Sequence, residues 1–477
     1  MLQSLPGDLH YSILLRATPL DILSLRKTCR ALNAASNSRA LWVVMAQRLQ
    51  LDTGYVVNGN AFGTMSRAKL EDLATSQQRI LRIICAEGPQ NTSLPREFRP
   101  PLAPVCSRSI PLPAPTPAQP ERWTCIQSTI ICGGQYVLVT WTEVGTYATS
   151  IHLIELPPAP YASLARLVAT YDVPPNDDQD VYSPEQWLTP EGTLQVLFFH
   201  KTSRNASQNE LTILETSLSP SESPTAFSKH ARLLIPNMVF VCRAGPIIAF
   251  RNSAVRPSSV GIWNFHTREV LVWNIVDTMH SFGMTESALT CLSSRHATIY
   301  AIPAPGTFNA QSYPYQPLRT VPLYPENTRF MPRATSIDIS PDGRVFVLGR
   351  RGQLRFIYAL SDTTAPIFTC FVKEYELLDG YENIMPTRYG DHLVFWAGKS
   401  DGMRGLYLGA VRLPPAGFAD AGEAASSYTR NLLLKGATRR AAWKVDVFSG
   451  QVLMFGGGLQ KPAMVVHDYL RRPGQEV

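Results

Sequence analysis

Ile337-Asp338-Ile339-Ser340-Pro341-Asp342-Gly343-Arg344-Val345-Phe346-Val347-Leu348 is the stretch on which the fold turns. An alternating run, Ile337-Asp338-Ile339, and a continuous apolar run, Val345 to Leu348, flank Ser-Pro-Asp-Gly, in which proline fixes one backbone angle and glycine accepts a positive one. A strand, a tight turn and an antiparallel strand follow. Downstream, Arg350-Arg351-Gly352 makes a second turn into Gln353 to Ala359, which pairs with Arg344 to Gly349. The same unit recurs upstream: Gln135 to Trp141 with Thr149 to Leu156, Leu194 to His200 with Glu210 to Glu215, and Val260 to Phe265 with Glu269 to Trp273. Ser449-Gly450 is a turn of the same kind.

Outgoing strands fall near Ile151, Ile213, Ile262, Ile299, Ile357, Tyr407 and Val466, a spacing of about 50 residues that matches blade repeats. The reading is a mainly β chain in which residues 123–477 form a β-propeller of seven blades, with six or eight as alternatives and a pair of β-sandwiches as the competing architecture. Met464 to Asp468 is expected to close its ring. Ile262-Trp263-Asn264-Phe265 with His266-Thr267-Arg268 and Glu269-Val270-Leu271 resembles a WD-repeat strand, turn and strand, and Ile339 to Arg344 resembles that family's inner hairpin turn. Regular Gly-His and Trp-Asp pairs are missing, so the resemblance is to degenerate WD repeats.

The N-terminal fifty residues follow another period. Leu5, Leu9, Ile13 and Leu14 recur at helical spacing behind Pro6, with Asp8 in the first turn. Pro19 then opens a second helix with Leu20, Asp21, Ile22, Leu23 and Leu25. So small a unit buries little against itself, and each apolar side chain left over is worth roughly 1.5–3 kcal/mol once covered, by a partner or by the rest of the chain. The order Leu-Pro, Asp-Ile-Leu-Ser-Leu, Thr28-Cys29-Arg30 and Leu41-Trp42 resembles the F-box of fungal F-box proteins, although Asp8-Leu9 stands where many members carry an acidic and then a β-branched residue. The resemblance implies docking on a Skp-type adaptor, and through it on a cullin-RING ubiquitin ligase. The adaptor contacts it implies are drawn from Leu5, Pro6, Leu9, Ile13, Leu14, Leu20, Ile22, Leu25, Cys29, Leu41 and Trp42.

Residues 1–50 are thus read as an all-α F-box and 51–91 as a bridging segment. In the latter, Leu70, Leu73, Ile80, Leu81 and Ile84 predict a helix from Ser66 to Ala86. Residues 92–122 hold nine prolines between Pro95 and Pro120 and are read as a semi-rigid connector with neither a helix nor a central strand. Such a run also has the composition of a ligand for an aromatic-lined groove.

Composition narrows the function. With 477 residues, 45% hydrophobic and 17% charged, the chain can bury a large core and is not disordered. A formal charge of +7 is spread out, and Arg350-Arg351, Arg439-Arg440 and Arg471-Arg472 are far apart, which argues against a phosphate-tracking surface and a nucleic-acid partner. The eight cysteines form no Cys-x-x-Cys pair and suit free thiols in a reducing compartment. With no secretory pattern, and with the apolar stretch from Met238 to Phe250 interrupted by Arg243 and Pro246, the expectation is a cytoplasmic or nuclear protein without a membrane span. The sequons at Asn91 and Asn205 are then not glycosylated.

No nucleophile elbow, His-Glu-x-x-His or phosphate-loop motif is present. Gly456-Gly457-Gly458 lacks a following lysine, Asp177-Asp178-Gln179-Asp180 reads as a solvated turn, and His266 and His296 have no partner at ligand spacing. No catalytic residue, metal or cofactor is expected. The chain is read as the substrate-recognition subunit of a Skp-cullin-F-box ligase, or alternatively as an F-box scaffold that does not direct ubiquitination. An unknown protein substrate would meet three segments read as loops, Tyr182 to Trp187, Tyr313 to Tyr315 and Asp379 to Arg388, through Tyr182, Trp187, Tyr313, Tyr315, Tyr381 and Arg388.

Overall fold

The computed structural model describes residues 5–53, 61–85 and, between 102 and 470, the strands with some of their turns; from 334 to 446 it describes strand backbones alone. Six helices come first: α1 (Gly7–Arg16), α2 (Pro19–Leu25), α3 (Arg30–Ser36), α4 (Arg39–Thr53), α5 (Ala61–Thr64) and α6 (Arg67–Cys85). Pro6 supplies the carbonyl that the Leu9 and His10 amides reach at 3.1 and 3.3 Å, which starts α1. Thr18 caps α2, its hydroxyl accepting the Asp21 amide at 3.3 Å with Pro19 at the first helical position. Leu14, Ile22, Leu32, Leu41 and Trp42 from the first four helices share one core with Leu70, Ile80 and Ile84 of α6. Arg26 adds a two-pronged ion pair to Glu71, at 2.8 and 3.1 Å, and lies over the Trp42 ring. The expected bridging helix is therefore built into the N-terminal module, whose core runs on past residue 50.

Strand β1 (Cys106–Pro111) lies inside the proline-rich 92–122 segment. It is an outer strand with Pro111 as its last residue, a place where the missing amide costs no ladder bond. Apart from one two-residue strand (Thr225–Ala226), which adds in parallel to the last strand of sheet one, the remaining strands form antiparallel meanders in chain order. Sheet one holds β2 (Trp123–Ile130), β3 (Tyr136–Glu143), β4 (Thr149–Glu155) and β5 (Arg166–Val173). Sheet two holds β6 (Tyr182–Leu188), β7 (Thr193–Lys201) and β8 (Gln208–Ser217); the chain then passes through the short β9 (Thr225–Ala226) before returning as β10 (Ser228–Pro236). Sheet three is β11 (Met238–Ala244), β12 (Ile247–Asn252), β13 (Ser259–Asn264) and β14 (Glu269–Asn274). Sheet four is β15 (Met279–Met284), β16 (Ala288–Ser293), β17 (His296–Ala301) and β18 (Arg319–Pro322). Sheet five comprises β19 (Ala334–Ile339), β20 (Val345–Gly349), β21 (Gln353–Ile357) and β22 (Ile367–Phe371), and sheet six β23 (Tyr381–Tyr389), β24 (His392–Lys399), β25 (Leu406–Arg412) and β26 (Ser427–Leu432). Sheet seven is made of β27 (Ala442–Asp446), β28 (Gln451–Phe455) and β29 (Ala463–Asp468), with β1 on its outer edge.

First strands stand next to first strands: β6 lies beside β2 and β11, β15 beside β11 and β19, β23 beside β19, and β27 beside β2. That radial order is a β-propeller. The opening stretch of sequence pairs as read, Ile337 with Val347 and Ile339 with Val345, and the hairpins read at 135–156, 194–215, 260–273 and 344–359 are all present. Each of the outgoing strands read near Ile151, Ile213, Ile262, Ile299, Ile357, Tyr407 and Val466 is the third strand of its sheet.

Strand alternation sends successive side chains to opposite seams. On β3, Val137, Val139 and Trp141 pack toward Leu453, Met464 and Val466 of sheet seven, whereas Tyr136 and Leu138 pack toward Leu194, Val196 and Phe198 of sheet two. Leu197 on β7 turns the other way, to Ile248 and Phe250 of sheet three. The helical core takes in Val452 of β28 and Tyr469 just after β29, with Leu102 and Leu470 beside them, and α6 also lies against β25 and β26 of sheet six.

Candidate docking face and the segments read as loops

Leu9 and Ile13, four residues apart on α1, are 45% and 38% exposed, while His10 and Leu14 on the opposite side are buried. Residues at this spacing share one helix face. Pro6 is exposed and Leu5 half-buried at the head of the same helix. This is a short apolar strip on a rigid element whose back is held by the module core.

The residues read as adaptor contacts therefore divide by role. Leu14, Leu20, Ile22, Leu41 and Trp42 are buried inside the chain's own core, and Leu25 and Cys29 pack half-buried against it. Trp42 also gives its indole N–H to the Ser36 carbonyl at 2.8 Å. A side chain sealed by its own module cannot form a contact surface, so Leu14, Leu20, Ile22, Leu41 and Trp42 shape the module from within, while Pro6, Leu9 and Ile13 are exposed and Leu5, Leu25 and Cys29 half-buried. Helical periodicity in α1 offers 9, 13 and 14 as apolar positions without saying which face turns inward; that is decided by the packing of α3 and α4 against α1.

The segments read as substrate loops fare differently. Tyr182 and Trp187 lie on β6, and Tyr381 and Arg388 on β23; these are the first strands of their sheets, not loops. Pro184 and Pro386 lie within these strands. Both strands absorb irregularity through register shifts, between Tyr182 and Glu185 and between Glu382 and Met385. Tyr313 and Tyr315 fall outside the described residues.

Trp187 is 8% exposed and serves the seam between sheets two and three. The Arg243 guanidinium carbon sits 3.8 Å from its ring centroid. Its indole N–H donates to Gln195 Oε1 at 2.5 Å, Gln195 donates to Glu215, and Glu215 Oε1 lies 3.2 Å from His230 Nδ1. The His230 ring meets that of His266 edge-on at 5.8 Å. This polar ladder across four strands was missed in the sequence because its members are 8–36 residues apart in steps that follow no motif; only the register Trp187–Gln195–Glu215 aligns them.

Burial pushes the Cys125 thiol up to about 12 and raises Cys291 as well, so neither is a ready nucleophile. Among the described residues no group of three or more His, Cys, Asp or Glu side chains is placed to hold a metal ion, and no helix is long and apolar enough to cross a membrane.

No family model matches the chain, and no curated protein matches it. Among solved structures it is similar to the Dos1 propeller, with TM-score 0.37 and 11% identity over 71% of this chain and 77% of that one. It is also similar to YCF48 bound to D1 peptide, with TM-score 0.35 and 11% identity over 76% and 95%, and to Kluyveromyces lactis Hsv2p, with TM-score 0.33 and 9% identity over 57% and 74%.

Proposed function

We propose that this chain is the substrate-recognition subunit of a Skp-cullin-F-box ubiquitin ligase, acting in the cytoplasm or nucleus. The helical module docks on a Skp-type adaptor, and the sheets form a closed seven-bladed propeller that holds a protein substrate. The observation that carries the docking half is the exposed pair Leu9 and Ile13 on a helix whose other face is committed to the core. Two exposed branched aliphatic residues with Pro6 beside them make a strip that association with an apolar groove would cover, at roughly 1.5–3 kcal/mol per fully buried side chain. Closure of the ring is supported by the pairing of β1 with β29 and by the seam that joins sheet seven to sheet one.

The test is capture of a purified Skp-type adaptor by the full chain and by the Leu9→Asp, Ile13→Asp double variant. Both positions face solvent, so the variant should keep the wild-type thermal transition and lose adaptor capture. Equal capture by the two proteins would remove this face from consideration.

A further inference from the structure

The helical module meets the sheets where the ring's two ends join. Among the described residues β1 pairs with one strand, β29, in a register running from Cys106 opposite Asp468 to Pro111 opposite Ala463. The pairing extends one step further, the Val105 amide reaching the Asp468 carbonyl at 2.7 Å, and the Tyr469 amide reaches the Gly450 carbonyl at 2.9 Å. At this same end Val452 and Tyr469 are buried in the helical core, with Leu102 ahead of β1 and Leu470 behind β29 packed on it. α6 also lies against β25 and β26 of sheet six. None of the inter-sheet cores described, the one between sheets seven and one included, contains a helical residue; helices and sheets share a core instead beside the ends of β1, β28 and β29. A strand pair held on one edge opens from its ends, at a free energy set by what covers them.

We propose that the helical module is the lock of the ring: the core it shares with β28 and with the residues after β29 holds β1 in place, so module and joint open as one unit. This rests on the closed ring proposed above and is independent of the adaptor. Gly450 belongs to the lock, since at φ +68° a Cβ there would stand 2.5 Å from Leu470 Cγ.

Hydrogen exchange on the full chain tests the idea. In Ile84→Ala, made on the helical side, amides of 105–111 and 463–470 should exchange about tenfold faster in step with those of 67–85, while 247–264 keep their wild-type rates. Gly450→Ala, made on the sheet side, should in turn speed exchange in 67–85. Faster exchange in α6 with an unchanged joint overturns the proposal. Should either variant fail to fold, the wild-type chain in increasing urea decides: one shared midpoint for α6 and the joint supports the lock, and loss of α6 well before the joint refutes it. Adaptor capture plays no part in these readouts, so failure here leaves the docking reading standing.

Discussion

Helix α1 and strand β3 are both short and rich in apolar residues, yet they spend those residues differently. On β3 every apolar side chain has an assigned seam, Val137, Val139 and Trp141 on one side and Tyr136 and Leu138 on the other. On α1, Leu14 is committed to the core while Leu9 and Ile13 face solvent. A strand inside a stack of sheets has two covered faces, whereas a helix on the outside of a module has one. An apolar residue left over on α1 therefore carries information about a partner that one on β3 cannot.

Replacing committed and uncommitted residues sharpens this contrast. Trp42→Ala empties the centre of the helical module and should cost about 4–5 kcal/mol in urea unfolding, at the upper end for aromatic truncation in a core. Leu138→Ala opens the seam between sheets one and two and should cost about 3 kcal/mol; a loss below 1 kcal/mol would mean the seam is loosely packed.

His152, buried beside Trp141 on β4, tests the sheets through pH. Burial lowers its pKa from 6.5 to about 4, against the opposing pull of a hydrogen bond to the Pro113 backbone and of the Asp172 carboxylate. The unfolded chain binds the proton more readily between those two values, so stability is full above pH 6.5 and falls as the pH drops toward 4, by on the order of 2–3 kcal/mol. In His152→Gln that part of the acid loss should vanish, and an unchanged pH profile would place the sensitive group elsewhere.

Gly261 sits opposite Phe250, whose ring carbon Cζ would lie 2.1 Å from an added Cβ. Gly261→Ala should cost about 1–2 kcal/mol by displacing a buried ring. At the bottom of the scale, Leu9→Ser and Ile13→Ser should each leave stability within about 0.5 kcal/mol of wild type. A larger loss in thermal unfolding would show that the strip on α1 is covered within the chain itself.

The sheets were more legible in the sequence than the surface they carry. Short alternating or apolar runs joined by turns such as Ser-Pro-Asp-Gly and His-Thr-Arg encode pairing locally, which is why the strands around Ile151, Ile262 and Val466 could be placed. Proline had the opposite effect at β1: the run from Pro95 to Pro120 read as a connector, yet an outer strand tolerates proline that a central one would not, and β6 and β23, read as loops for their aromatic and charged residues, also carry one proline each. Burial of Leu14, Leu41 and Trp42 depends on α3, α4 and α6 folding against α1 and α2, contacts that no local pattern encodes. The ladder from Trp187 to His230 likewise exists only through register.

Strand β9 has a consequence for how such a chain is inherited. Lying between β8 and β10 of sheet two, it adds to β5 of sheet one in parallel, Ala169 opposite Thr225, with the Phe227 amide on the Thr170 carbonyl at 3.0 Å. Sheet one thus borrows its last strand from its successor. Duplication or exchange of one sheet at a time would leave either a donor without an acceptor or an edge without its cover, so the heritable unit at this point of the chain is the pair.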